Sequence, residues 1–216
     1  MIKAFLFDLN GTMIEDMSYH INAWHKIFVR LGADYTLQQS QAQCYGKNAE
    51  ILERIFPGKF SDAEKKELGD NKEAIYREEY KPFLKLINGL DVFLAAAKKE
   101  NIKMAVGSAA MKLNVDFVLD NLNIRHYFDA VISGDDVQKS KPDAETYLKC
   151  AAALNVLPQQ CLVFEDVPKG VESAANATMQ TVVITGLHSE EEFAEFDNIV
   201  RFVKDYEGIL VSDLLK

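Results

Sequence analysis

Four short apolar runs in this sequence each lead into side chains that can carry charge or a proton. Asp8 and Asn10 follow Ile2–Phe7, Ser108 follows 103–106, Lys141 sits in the polar loop after 130–132, and Glu165 with Asp166 follow 161–164. An apolar run too short for a helix and ending in polar groups reads as a buried parallel strand reaching the carboxyl edge of its sheet. In open α/β sheets ligands bind along that edge. The chemistry these groups suggest together is phosphoryl transfer. Asp8 is the candidate nucleophile, since an aspartate can attack phosphorus and form an aspartyl phosphate. Carboxylates on Asp8 and Asp166, with the backbone carbonyl of Asn10, suit a hard cation such as Mg²⁺, which keeps waters and substrate phosphate as its other ligands. Lys141 and Ser108 would neutralise and hydrogen-bond the transferring oxygens, because this transition state needs charge stabilisation and positioning above all. Glu165 would orient the metal's waters from behind, and Gly11-Thr12 would let backbone and hydroxyl approach phosphate.

The elements that must position these groups fall into two patterns. From Gly89 onward short apolar strands (103–106, 130–132, 161–164, 181–184) alternate with amphipathic helices (90–100, 112–122, 144–154, 170–177). That alternation predicts an α/β fold, a doubly wound parallel sheet with helices on both faces. Between residues 15 and 82 no strand-like alternation occurs. Tyr19, Ile21, Trp24, Ile27, Phe28 and Leu31 recur at helical spacing, and further helices are expected over 36–42, 48–56 and 61–80, the last opened by the capping box Ser61-Asp62-Ala63-Glu64. The predicted division is an α/β core of residues 1–14 and 85–216, interrupted by an all-helical module of residues 15–84, with connecting hinges at 13–17 and 83–88.

Composition narrows the partners. The 216 residues carry 33 acidic against 24 basic side chains, a net charge of −9 that argues against affinity for nucleic acid or anionic membranes. A phosphate-bearing partner must then be held by a local site or a cation, and a small phosphorylated molecule is expected. Cys44, Cys150 and Cys161 are widely spaced and odd in number, which reads as packing thiols in a reducing cytoplasm. No run approaches the roughly 18 apolar residues of a membrane span. The expected protein is cytoplasmic and monomeric.

The segments Asp8-Leu9-Asn10-Gly11-Thr12, Ser108, Lys141-Pro142 and Glu165-Asp166 resemble, in order, the four motifs of the haloacid dehalogenase superfamily. More narrowly the chain is similar to its β-phosphoglucomutase-like phosphatases, which carry a helical cap inserted after the first strand. The resemblance spans essentially the whole chain. It implies a Mg²⁺-dependent core, a Rossmann-like sheet and Asp8 as nucleophile. It also exposes a departure, because the family's first motif has a second aspartate where this chain has Asn10. That aspartate protonates the leaving group and then activates water or a hydroxyl. An amide has no titratable proton and cannot do so. Asn10 is read as an engineered replacement in an otherwise competent enzyme, with a natural variant as the alternative.

The resemblance extends to the helical module. His20 and Trp24 share a helix face and match a His…Trp pair that the family's mutases place near their site; Trp24 as module core and His20 as a satisfied surface residue is the competing reading. The segment Tyr45-Gly46-Lys47-Asn48-Ala49-Glu50 is similar to the family's specificity loop, with Lys47 a candidate substrate contact. β-Phosphoglucomutases carry an arginine where this chain has Ala49, and a further hydroxyl where it has Ala109-Ala110-Met111. The leading expectation is therefore a phosphatase of small phosphorylated metabolites, sugar phosphates above all. A β-phosphoglucomutase and a non-catalytic phosphometabolite-binding protein are the alternatives.

Overall fold

In the computed structural model, which describes residues 1–44, 46–186 and 188–215, the chain divides into two compact units. One comprises Met1–Glu15 with Lys85–Lys216, the other Asp16–Leu84. The first holds a six-stranded, wholly parallel sheet: β1 (Ala4–Phe7), β2 (Lys103–Gly107), β3 (Ala130–Ile132), β4 (Cys161–Glu165), β5 (Gln180–Ile184) and β6 (Ile199–Val203), in the order β3-β2-β1-β4-β5-β6. This is the Rossmann-type order, with the α/β class and doubly wound sheet expected from the alternating pattern.

β1 is short and apolar on both faces because it lies in the middle. All four of its residues are buried, as are all five of β4. A strand covered on both sides has no polar face, so its sequence is a continuous hydrophobic run. Phe7 and Phe164 stack at 4.7 Å between ring centroids, and Phe93 and Tyr206 close around them at 5.4 to 6.4 Å. Phe93 belongs to α5 (Leu90–Lys99); α6 (Lys112–Asn121), α7 (Glu145–Leu154) and α8 (Pro168–Asn176) complete the unit's helices.

The second unit contains α1 (Met17–Arg30), α2 (Leu37–Gln43), α3 (Asn48–Ile55) and α4 (Asp62–Tyr80). Their apolar faces meet around Trp24, Ile27, Phe28, Ile51 and Leu52. Ser61 opens α4 as a reciprocal capping box with Glu64, and Thr36 opens α2 in the same way with Gln39.

One strand differs from the sequence reading: β6 was not expected. It pairs on one side only, with β5, and Val200 and Arg201 are exposed, so it carries neither a continuous apolar run nor clean alternation. Asn198 compensates by donating from Nδ2 to the carbonyls of Val171 and Met179 and to Thr181 Oγ1. The acidic run 190–195 that precedes β6 contains one 3₁₀ turn, Glu190–Phe193; Glu190 to Glu192 are exposed while Phe193 is buried against Val171 and Val183.

The turn after α8 stores strain. Thr178 has φ +60°, a left-handed conformation that a β-branched residue adopts at a cost of about 1–2 kcal/mol. Replacing it with glycine removes the clash and loses about 0.5–1 kcal/mol to chain entropy. Thr178→Gly is therefore expected to raise unfolding free energy by about 0.5–1 kcal/mol, read as a higher urea midpoint at constant slope; a lower midpoint would contradict the strain.

Candidate active site

Parallel pairing of β1 with β4 sets Phe7 beside Phe164, so the next residues, Asp8 and Glu165, come side by side at the carboxyl edge of the sheet. Asp8 N–H donates to the Phe164 carbonyl at 3.0 Å, continuing the ladder to the nucleophile's own backbone. These two strands flank the point where the strand order reverses, the crevice in which open α/β sheets bind ligands. Asp8, Glu165 and Asp166 are all buried there, and one carboxylate oxygen of each lies within 4.8 Å of the others.

Two glycines make this convergence possible. Gly11 has φ +80°, and a Cβ on it would sit 1.9 Å from Asp166 Oδ2. On Gly170, in the first turn of α8, a Cβ would sit 1.9 Å from the carboxyl carbon of Glu165. No other residue type fits at either place.

Three carboxylates in one dry place need cations or protons. Lys141 is the cation. Its Nζ donates to Asp8 Oδ1 and to Glu165 Oε1, both at 2.6 Å. Burial alone would pull the ammonium's pKa down, but the Asp8 and Glu165 charges outweigh it and hold the pKa above the usual lysine range. Asp166 takes the other route. Burial first, then the Glu165 and Asp8 charges, push its carboxyl pKa well above the ordinary value, opposed by Lys141 and by the Thr12 hydroxyl, which donates to Oδ1 at 3.2 Å.

The loop carrying Lys141 is folded by its own backbone contacts. Glu145 accepts from the N–H groups of Gln138 and Lys139, and Lys149 together with those N–H groups holds its carboxyl down to about 2. Ser173 Oγ and Asn176 Nδ2 on α8 donate to the Asp143 and Pro142 carbonyls at 2.7 and 2.9 Å. Ser108 is buried at the end of β2; its N–H donates to the Ile132 carbonyl, and its hydroxyl accepts from the Ala110 N–H at 3.1 Å. Lys139 is a solvated charge, 75% exposed beside Asp143.

The sequence reading missed two tyrosines here. Tyr147 OH donates to Glu165 Oε1 at 2.6 Å and accepts from Lys141 Nζ at 2.9 Å, and Tyr206 OH donates to the Thr12 carbonyl at 3.1 Å. Burial and the neighbouring carboxylates keep both phenols protonated. Tyr147 shares a helix face with Cys150, Ala151 and Leu154, so its spacing signals only core.

In the helical unit, Trp24 is 2% exposed within the apolar cluster, the core surroundings of the competing reading. His20 is largely buried. Its ring stacks on Tyr76 at 3.8 Å, with Nδ1 2.6 Å from Lys72 Nζ and Nε2 3.4 Å from Asp16 Oδ2. Lys72 is itself buried; burial lowers its pKa, opposed by Glu73 at 3.0 Å. Lys47 and Ala49 are exposed at the start of α3, and Tyr45 lies outside the described residues.

A family model described as haloacid dehalogenase-like hydrolase matches residues 5–184. This chain belongs to that family. It is 30% identical over 177 residues to the fructose-1-phosphate phosphatase YqaB of Escherichia coli (strain K12), covering 82% of this chain and 93% of that protein. It is equally, 30%, identical over 211 residues to β-phosphoglucomutase of Bacillus subtilis (strain 168), covering 94% and 91% of the two chains. The crystal structure of a HAD hydrolase, family IA, variant 3, from Entamoeba histolytica superposes with a TM-score of 0.90 at 27% identity, covering 99% of this chain and 98% of that one. The protein is an enzyme of the phosphatase and phosphotransferase class.

The donor set of this HAD-like hydrolase fits a divalent metal. Its side-chain donors are carboxylate oxygens, three buried acids surround Lys141, and burial with the neighbouring charges raises the Asp166 carboxyl. In the metal-free protein the raised Asp166 carboxyl stabilises the fold fully below its ordinary value of 3.8, and that contribution is lost as pH rises through the folded-state value. A cation on these oxygens displaces the proton, so its stabilising effect grows with pH. The rise in melting temperature caused by MgCl₂ is expected to grow with pH over the range in which the protein stays folded. A rise independent of pH would contradict the raised Asp166 carboxyl.

Proposed function

We propose that the protein is a Mg²⁺-dependent phosphohydrolase of small phosphorylated metabolites, with sugar phosphates as the substrate class, working through an aspartyl phosphate on Asp8. The observation that carries this reading is Lys141 held at 2.6 Å from both Asp8 and Glu165 inside the buried carboxylate cluster. A carboxylate nucleophile must meet an anionic phosphoryl group, and an immobilised ammonium between them lowers that repulsion without reorganising during the reaction. The sugar-phosphate activity in the YqaB name supports the substrate class.

Asp8, the Asn10 carbonyl and Asp166 would hold the cation, and when bound it would neutralise and polarise phosphate oxygens. Asp8 attacks phosphorus and the bond to the sugar oxygen breaks. Lys141 and Ser108 bind the transferring oxygens. Water then attacks the aspartyl phosphate, releasing phosphate and regenerating Asp8. Thr12 and Glu165 hold Asp166 in place, through the 3.2 Å hydroxyl contact and the 3.1 Å bond from Asp166 N–H to Glu165 Oε2.

Asn10 is the fault in this cycle. The departing sugar oxygen needs a proton and the incoming water must lose one, and an amide does neither. We take Asn10 to be a replacement that leaves binding intact and slows turnover. The mutase alternative differs in its acceptor, a sugar hydroxyl instead of water; the exposed Ala49, where β-phosphoglucomutases carry arginine, disfavours it. A cytoplasmic location and a monomeric state remain part of the reading; three free cysteines, two of them buried, support the first.

A phosphate-release screen across sugar phosphates, pyrophosphate and nucleotides with Mg²⁺ tests this. Asn10→Asp is expected to raise the rate by about 10²–10⁴-fold, and adding Asp8→Ala to abolish it. Equal rates for the parent and Asn10→Asp would refute the role given to Asn10. Undiminished activity without Asp8 would refute the nucleophile. Phosphate retained in a sugar bisphosphate would favour the mutase.

A further inference from the structure

We infer that the Tyr147 hydroxyl is a positioning group of this site, fixing the Lys141 ammonium midway between the nucleophile and Glu165 while keeping Glu165 occupied as a hydrogen-bond acceptor. The inference rests on the phosphohydrolase reading for its catalytic consequence but not for its geometry.

An ammonium has three N–H donors. Those of Lys141 have three acceptors within reach: Asp8 Oδ1 at 2.6 Å, Glu165 Oε1 at 2.6 Å and Tyr147 OH at 2.9 Å. Two acceptors alone would leave the group free to pivot about the line joining them; a third makes a tripod. The same nitrogen lies 4.7 Å from the ring centroid, on the hydroxyl side of the tyrosine, so the contact to the cation is made through the phenol oxygen. The phenol is oriented as well, because its own proton goes to Glu165 Oε1 at 2.6 Å. Lysine, tyrosine and glutamate thus form a closed triangle with each hydrogen assigned.

The triangle also specifies what Glu165 does. Its Oε1 accepts from Lys141 and Tyr147, and its Oε2 accepts from the Asp166 N–H at 3.1 Å and the Val167 N–H at 3.5 Å. A carboxylate so occupied serves as a bracket, leaving Asp8 and Asp166 to offer oxygens outward. Tyr147 is in turn clamped from the sheet. A Cβ on Gly107 would come within 2.9 Å of Cys150 Sγ and 3.2 Å of Tyr147 Cε1, so only glycine at the end of β2 lets α7 approach closely enough for the phenol to reach Glu165.

The test removes the hydroxyl and keeps the ring. In an Asn10→Asp background, Tyr147→Phe is expected to lower kcat about 10–100-fold, the usual effect of losing an orienting partner, with KM little changed, whereas a packing role would leave kcat within about two-fold. The second readout needs no turnover. In ¹⁵N-labelled parent protein the Lys141 ammonium should give a slowly exchanging resonance, identified by its loss in Lys141→Met, with cross-relaxation to the Tyr147 ring. Tyr147→Phe should broaden it or abolish it. A resonance equally sharp without the hydroxyl, or an unchanged kcat, overturns the inference. If Tyr147→Phe does not fold, the parent spectrum decides, since absence of the slowly exchanging signal overturns the inference and its presence with ring contacts upholds it. If Asn10→Asp releases no phosphate from any substrate, the functional proposal fails while the ammonium spectrum still tests the tripod.

Discussion

Three carboxylates buried at one edge of a sheet repel one another, and much of this structure can be understood as the means of holding them there. With oxygens inside 4.8 Å, each pair of full charges costs on the order of 3 kcal/mol at an effective dielectric of about 20. The chain meets that cost in three different ways. Asp8 and Glu165 share one lysine, Glu165 also takes two backbone N–H groups and a phenol, and Asp166 retains a proton or receives a cation. Among the described residues the hydrogen-bonded cation of this cluster is Lys141, already engaged by Asp8 and Glu165, and three carboxylates around one ammonium make a donor set that suits a hard divalent cation.

Much of this was legible in the sequence because the elements that deliver it are nearly pure types. Buried central strands must be short and wholly apolar, so β1 and β4 announce their own ends, and a carboxylate just after such an end is placed at the sheet edge before any coordinates are known. Asp8, Glu165 and Asp166 were found that way, and Lys141 from the polar loop that follows β3. Tyr147 could not be, because a tyrosine at a core position of an amphipathic helix has the same spacing whether its hydroxyl is used or merely satisfied. β6 was missed for the opposite reason: an edge strand with one neighbour need not be apolar on either face, and Arg201 interrupts its pattern. Gly11 and Gly170 are visible in the sequence, but their necessity comes from Asp166 and Glu165, far away along the chain.

Asn10 separates two properties usually selected together. An amide and a carboxylate have nearly the same shape, and the backbone carbonyl is unaffected by the exchange. What changes is the capacity to give and accept a proton, and with it one formal charge near a cluster already too negative. Relative to an aspartate at this position, the amide therefore has two opposing effects: it supplies no acid–base group and it adds no charge to the carboxylates.

The topology explains why such a site tolerates an inserted helical unit. β1 and β4 are adjacent in space although about 150 residues separate them, so the carboxylates meet through sheet pairing and not through local sequence. The chain leaves the sheet after β1 and returns in the same place: Ile14 bridges antiparallel to Leu86, and Ile87 N–H donates to the Met13 carbonyl at 2.9 Å. Closing that exit means the 69 residues Asp16–Leu84 impose no strain on the strand order, since loop-closure entropy grows only slowly with length. Their own interior, built on Trp24, Phe28, Ile51 and Leu52, is a separate core. The carboxylate cluster and this apolar cluster thus lie in parts of the chain with independent packing, and the backbone hydrogen bonds of residues 13–14 and 86–87 hold the two connections together.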